Sequence, residues 1–199
     1  MSDVTASGEA AVSRRGFLRG CAIVGGMLLP FTIAGREVVA SPAEARAAAV
    51  PLRFLTAGEA AVLETLGEAL VPGSALAGLA HYVDQQCACA PADCMLMGRY
   101  LGLQPPFGPF YRAALDALRT ALAAATGETA SARAHSLATA LQGAFTGKAF
   151  TGWDGPPAGF VYFVLRSDAI DVVYGTPEGF ERLGVPYMAH IQPPSGWGG

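Results

Sequence analysis

The chain has 199 residues and a formal charge of −3, from 13 Lys+Arg against 16 Asp+Glu; 52% of it is apolar and 15% charged. That is too apolar for a disordered chain, and no basic surplus exists to neutralise phosphates, which excludes nucleic acid as a partner on electrostatic grounds. The length suits one domain with a real core, while 25 Gly and 14 Pro place irregular stretches between the regular elements.

The N-terminus reads as an address. Ser13, Arg14, Arg15, Gly16, Phe17 and Leu18 precede an apolar stretch from Cys21 to Ala34, and Val38-Val39-Ala40 then offers small or branched residues where a signal peptidase reads. Paired arginines, a moderate apolar segment and a cleavage-like site describe a twin-arginine export signal over residues 1–40, with Ser13, Arg14, Arg15, Phe17 and Leu18 as its targeting residues. The apolar segment is short and glycine-rich for a membrane span of about 20 residues. Such a signal implies passage through the twin-arginine translocon to the periplasm, in a route that carries folded chains and folded partners that lack a signal.

Residues 41–54 are Ala-rich, with Pro42 and Pro51, and read as a linker. Thr56-Ala57-Gly58-Glu59 fits a capping box, Leu63, Leu66 and Leu70 share one helical face, and Pro72-Gly73 stops that helix. A second helix is expected from Leu76 to about Gln86, and a further one within Asp93 to Leu101. Three prolines make Gln104 to Pro109 a rigid connector. Helical spacing is clearest over Tyr111 to Ala125 and recurs over Ser131 to Phe145. Phe160 to Val173 is so apolar that periodicity cannot separate helix from strand; helix fits its neighbours. From about 175 Gly and Pro predict a long irregular C-terminal tail. The expected fold is all-α: one compact helical domain over residues 55–199, with that tail laid on it.

Catalytic motifs are missing from the sequence. It has no dinucleotide fingerprint, no phosphate-cradling Gly-Lys-Ser/Thr loop, no haem-attachment motif and no nucleophile elbow. His81, His135 and His190 stand far apart and read as structural or surface groups. Asp168 and Asp171 share a helix face, and the reading for them is a cap or rim at the end of the apolar segment rather than acid–base chemistry. Cys87, Cys89 and Cys94 leave three readings open. An oxidising compartment favours a disulfide of Cys94 with Cys87 or Cys89; the others are a bond from the spare thiol to a partner chain, or a soft-metal or cluster site. The spacing Cys-x-Cys-x4-Cys matches none of the usual metal frameworks.

From Leu55 onward the order of segments resembles the gluconate 2-dehydrogenase subunit 3 family. "LTAGEAAVLETLGEALVPGS" is similar to its first helix and proline stop, "AGLAHYVDQQ" to its second, and "RYLGLQPPFGPFYRAALDAL" to its proline connector and next helix, with Phe110, Tyr111 and Arg112 at the junction. "DVVYGTPEGFERLGVPYMAHIQPP" resembles its C-terminal signature through Thr176, Gly179 and Pro186. The cysteine cluster is no part of this resemblance, and Tyr174-Gly175 leads into Thr176-Pro177-Glu178 rather than a Gly-Gly-Asn stretch, so the substrate is not carried over.

The resemblance implies a small subunit that is not an enzyme on its own and holds no cofactor. Its partner would be a large FAD-dependent dehydrogenase of the glucose–methanol–choline type, oxidising an alcohol or sugar and passing electrons in many cases to a cytochrome c subunit. The small subunit would assist maturation and export of that flavoprotein, and any membrane association would come through the complex. Tyr174, Thr176, Gly179, Phe180, Pro186, Tyr187, Ile191 and Trp197 are the expected partner contacts, because aromatic anchors spaced by Gly and Pro suit an interface. The alternative is an independent periplasmic redox or metal-binding module using Cys87, Cys89 and Cys94.

Overall fold

Thr56 and Glu59 close a reciprocal cap at the start of the first long helix. The Thr56 N–H donates to Glu59 Oε2 at 2.7 Å, and the Glu59 N–H donates to Thr56 Oγ1 at 3.2 Å. Two amides that a helix start leaves free are thereby satisfied. The computed structural model describes residues 27–33 and 35–185. In chain order these form strands β1 (Leu29–Ile33) and β2 (Arg36–Ala40), then helices α1 (Pro42–Ala47), α2 (Ala57–Leu70), α3 (Leu79–Ala88), α4 (Met97–Tyr100), α5 (Gly108–Ala124), α6 (Ala130–Phe145), α7 (Ala158–Tyr174) and α8 (Pro177–Arg182). A 3-10 turn at Pro91–Asp93 lies between α3 and α4.

Two helices organise the rest. α2 packs on α3, α5, α6 and α7, burying Ala60, Leu63, Leu66 and Gly67. α7 packs on α2, α3, α4, α6 and α8. Its buried residues, among them Val161, Val164, Leu165, Ala169 and Val172, share one half of its circumference, and the other half carries Phe160, Phe163 and Ile170 beside Arg166, so its sequence shows little contrast between faces. Leu63, Leu66 and Leu165 are each 1% exposed, and burial of each contributes about 1.5–3 kcal/mol.

The stretch entering α2 is pinned from two sides. Asp84 of α3, nearly buried, accepts the backbone N–H groups of Arg53, Phe54 and Leu55 at 2.8–3.0 Å. Arg112 of α5 donates to the Phe54 carbonyl at 2.6 Å and to Glu59 Oε1 at 3.0 Å, and its guanidinium lies 4.3 Å from the Phe54 ring centroid. One carboxylate and one guanidinium thus fix where α2 starts relative to α3 and α5.

The mainly helical fold agrees with the sequence reading, and three segments depart from it. Within the expected export signal, Leu29–Ile33 and Arg36–Ala40 pair as an antiparallel hairpin, with Leu29 opposite Ala40 and Ile33 opposite Arg36. Its inner face carries Leu29, Phe31 and Ala40, all buried, while Pro30 and Thr32 face out. This is the period-two alternation of a half-buried strand. Within the expected linker, Ser41 caps α1 through a second capping box with Glu44. Within the expected irregular tail, Thr176 Oγ1 accepts the Gly179 N–H at 3.0 Å and starts α8 with Pro177 at its first turn.

Gly78 has φ 85°, and a side chain there would strike the Pro42 backbone, so only glycine lets the start of α3 pass this close beneath α1.

Replacing Asp84 with Ala removes the acceptor of three backbone amides. Urea unfolding should show a loss of at least about 2 kcal/mol, as a lower midpoint at unchanged slope.

Candidate functional site

The three cysteines lie at the end of α3 and in the segment that joins it to α4, which polar side chains hold in place. Gln86 of α3 accepts the Met95 N–H at 2.5 Å and donates to Gln85 Oε1 at 2.7 Å. Arg99 of α4 donates to the carbonyls of Ala92 at 3.1 Å and Cys94 at 2.6 Å. From below, Asp168 of α7 accepts the Met97 N–H at 3.0 Å on one carboxyl oxygen and the Tyr111 hydroxyl at 2.5 Å on the other. Asp168 and Tyr111 are both 0% exposed. One carboxylate therefore joins α7, α5 and the start of α4.

Asp168 does not cap or rim its helix, as the sequence suggests; it sits at mid-helix in the core. Burial pushes its carboxyl up to about 7, against the lowering effect of its bonds from Tyr111 and Met97. Burial also pushes Asp171 up to about 6. The Tyr111 and Tyr82 hydroxyls are raised for the same reason, and Tyr82 Oη, Ser74 Oγ and His81 Nδ1 are buried without a hydrogen-bond partner among the described residues.

The three thiols are free and meet at the end of α3. The Cys89 proton has the carbonyls of Gln86 at 3.2 Å and Ala90 at 3.5 Å around it, and the sulfur of Cys94. The neighbouring Cys89 thiol lowers the Cys94 thiol to about 7, helped by the Leu96 N–H and the Arg99 charge and opposed by burial. Cys89 moves the opposite way, chiefly through its closeness to Cys94, and burial raises Cys87. Cys94 is thus the most readily ionised of the three, though fully buried, and Cys89 is the thiol beside it. Among the described residues no group of three or more His, Cys, Asp or Glu side chains is placed to hold a metal ion.

The other sequence-selected residues scatter. His81 Nε2 lies 3.1 Å from the Val50 carbonyl, and His135 lies exposed on α6, against Ser131. Tyr174 packs half-buried on the core, Thr176 caps α8, Gly179 is buried against Tyr174, and Phe180 is half-buried on α8. Pro186, Tyr187, His190, Ile191 and Trp197, and the targeting residues Ser13, Arg14, Arg15, Phe17 and Leu18, lie outside the described residues.

The sequence reading missed Asp84, Gln86 and the Tyr111–Asp168 pair. A signal existed for the first two: Asp84-Gln85-Gln86 runs through the most buried stretch of α3, where three successive polar residues sweep too wide an arc to share one solvent face.

Three surface hollows stand out among the described residues, and none of the three is lined by Asp168, Tyr111 or a cysteine. One, of about 440 Å³, lies at the end of α6 beside the start of α7 and is lined by Leu101, Ala144, Phe145, Gly159, Phe160 and Phe163. Phe145 and Phe163 stack there with centroids 5.5 Å apart while 50% and 36% exposed. No helix among the described residues is long and apolar enough to cross a membrane. No family model matches the chain, and no curated protein or solved structure matches it.

The Asp168 shift fixes the sign of a pH effect. Its folded value lies above its ordinary value of 3.8, so its contribution to stability is full below about 4 and is lost as pH rises through about 7. Cys94 acts oppositely, since its folded value lies below 9; its contribution is lost as pH falls through about 7. In Asp168→Asn the amide oxygen still accepts from Met97 but cannot ionise. Unfolding measured from pH 4 to 8 should show a shallower decline for this variant than for the unchanged chain.

Proposed function

We propose that this chain is a non-catalytic small subunit of an exported FAD-dependent dehydrogenase complex of the glucose–methanol–choline type. It assists the maturation of a large flavoprotein subunit and carries it through the twin-arginine translocon to the periplasm. FAD belongs to that partner, which oxidises an alcohol or sugar, and a cytochrome c subunit serves as electron acceptor.

The twin-arginine signature Ser13-Arg14-Arg15-Gly16-Phe17-Leu18 carries this reading, together with the order of segments from Leu55 onward. Physical features support it. The junction residues Phe110, Tyr111 and Arg112 all serve the framework: Phe110 meets Phe160 edge-on at 5.5 Å, Tyr111 holds Asp168, and Arg112 holds Glu59. The buried acids are spent on backbone and tyrosine donors. Among the exposed apolar residues described, Phe145 and Phe163 stack as a pair beside Leu101, a face that suits a protein partner. That face is a better anchor than Tyr174, which packs against the chain's own core, or Phe180, which is half-buried.

A second reading rests on the closeness of Cys89 to Cys94: a periplasmic thiol module in which an opening bares the buried Cys94, its thiolate attacks a partner's disulfide and expels one partner thiolate, and Cys89 then displaces the other, leaving Cys89–Cys94 oxidised and the partner's disulfide reduced. It calls for no flavoprotein.

Affinity purification of the tagged full-length chain from its native periplasm should bring down a large subunit with flavin absorbance. Phe145→Asp with Phe163→Asp should reduce that co-purification at least tenfold while circular dichroism stays unchanged. A colourless chain recovered alone would sink the subunit reading, and loss of activity only on Cys94→Ser would favour the thiol module.

A further inference from the structure

The bond that the signal reading marks for cleavage, Ala40–Ser41, lies inside the folded domain. Ala40 ends β2, pairs with Leu29 and is 8% exposed. Ser41 is the N-cap of α1: its N–H donates to Glu44 Oε2 at 2.7 Å and its Oγ accepts the Glu44 N–H at 3.2 Å. On the next turn of chain Pro42 and Ala45 are buried, with Gly78 pressed against the Pro42 backbone. Upstream, Leu29 is 2% and Phe31 7% exposed, and β1 packs on α1 and α3.

A peptidase takes its substrate as an extended, unpaired strand. The twin-arginine route carries chains already folded, so the bond would have to be reached in the folded state. Reaching Ala40–Ser41 there means unpairing β2, breaking the Ser41–Glu44 box and withdrawing Leu29 and Phe31 from the core. A cut would then discard three core side chains, Leu29, Phe31 and Ala40, and uncover the apolar faces of α1 and α3 on which the hairpin packs.

We propose that the β1–β2 hairpin is a permanent part of the functional chain, and that any removal of the export signal spares Ala40–Ser41 and lies upstream of Leu29. The claim about processing rests on the export reading, whereas the claim that the hairpin belongs to the domain rests on packing alone.

The test uses the full-length chain with a C-terminal tag, recovered from the periplasm of a twin-arginine-competent host. Its intact mass should include Leu29 to Ala40. A mass beginning at Ser41 would overturn the proposal. In the same background Phe31→Ala should lower the thermal midpoint by several degrees, and the outward-facing Thr32→Ala should leave it in place. An unchanged midpoint for Phe31→Ala would overturn the claim that the hairpin belongs to the domain. If Phe31→Ala gives no folded protein, Phe31→Leu is read in the same way, with a smaller drop. Failure of the export reading shows separately: the chain stays in the cytoplasm, Arg14→Lys with Arg15→Lys changes nothing, and the Phe31 melting shift alone decides whether the hairpin is part of the fold.

Discussion

A single buried carboxylate sets the position of the segment between α3 and α5. Asp168 lies on a strongly apolar helix and is fully out of water. Leaving it there unpaired would cost several kcal/mol, on the order expected for a desolvated ion. Two donors offset that cost, the Tyr111 hydroxyl and the Met97 amide, and each belongs to a different element. The pairing therefore has a directional demand that apolar packing lacks: α5 must present Tyr111 to α7, and the chain must arrive at α4 with its first amide turned inward. Gln86 then fixes Met95 two residues earlier, and Arg99 fixes the carbonyl of Cys94 just before it.

Asp84 solves the corresponding problem at the entrance of α2. Three successive amides converge on it, and Arg112 holds the carbonyl side of the same stretch. Both acids are thus bound to the framework. That bears on function more than their identity does, because two aspartates in a helical protein invite an acid–base reading. Among the described residues, the aromatic hollow where α6 meets α7 and the thiols where α3 ends are features that the framework does not use. The framework bonds supply the rigid body that the proposed escort role would require.

Features coded by neighbours in sequence were legible. Thr56 and Glu59 stand three residues apart and cap their helix as the spacing requires. The heptad-like spacing of Tyr111, Ala114, Leu115 and Leu118 marked α5, and those four residues are buried. Features coded by distant neighbours were not. Tyr111 and Asp168 are 57 residues apart, and nothing local says that one acid of an apolar helix meets a tyrosine. The hairpin failed for another reason. Leu29, Phe31 and Val38 to Ala40 serve a strand pair as well as the apolar stretch and cleavage site of a signal, and composition cannot separate the two. The starts of α1 and α8 were readable in principle, since Ser41-Pro42-Ala43-Glu44 and Thr176-Pro177-Glu178 are both cap sequences. The surrounding Ala, Gly and Pro hid them.

That Asp168 serves as buried framework is the central claim, and carbon-13 NMR of its carboxyl group, followed across pH in the folded chain, tests it most directly. The resonance should titrate with a midpoint near 7, well above the ordinary 3.8, and Tyr111→Phe should move that midpoint upward by removing a donor to the charged form. A midpoint at the ordinary value, unmoved by Tyr111→Phe, would place the carboxyl in water and contradict the clamp on which α4, α5 and α7 are joined.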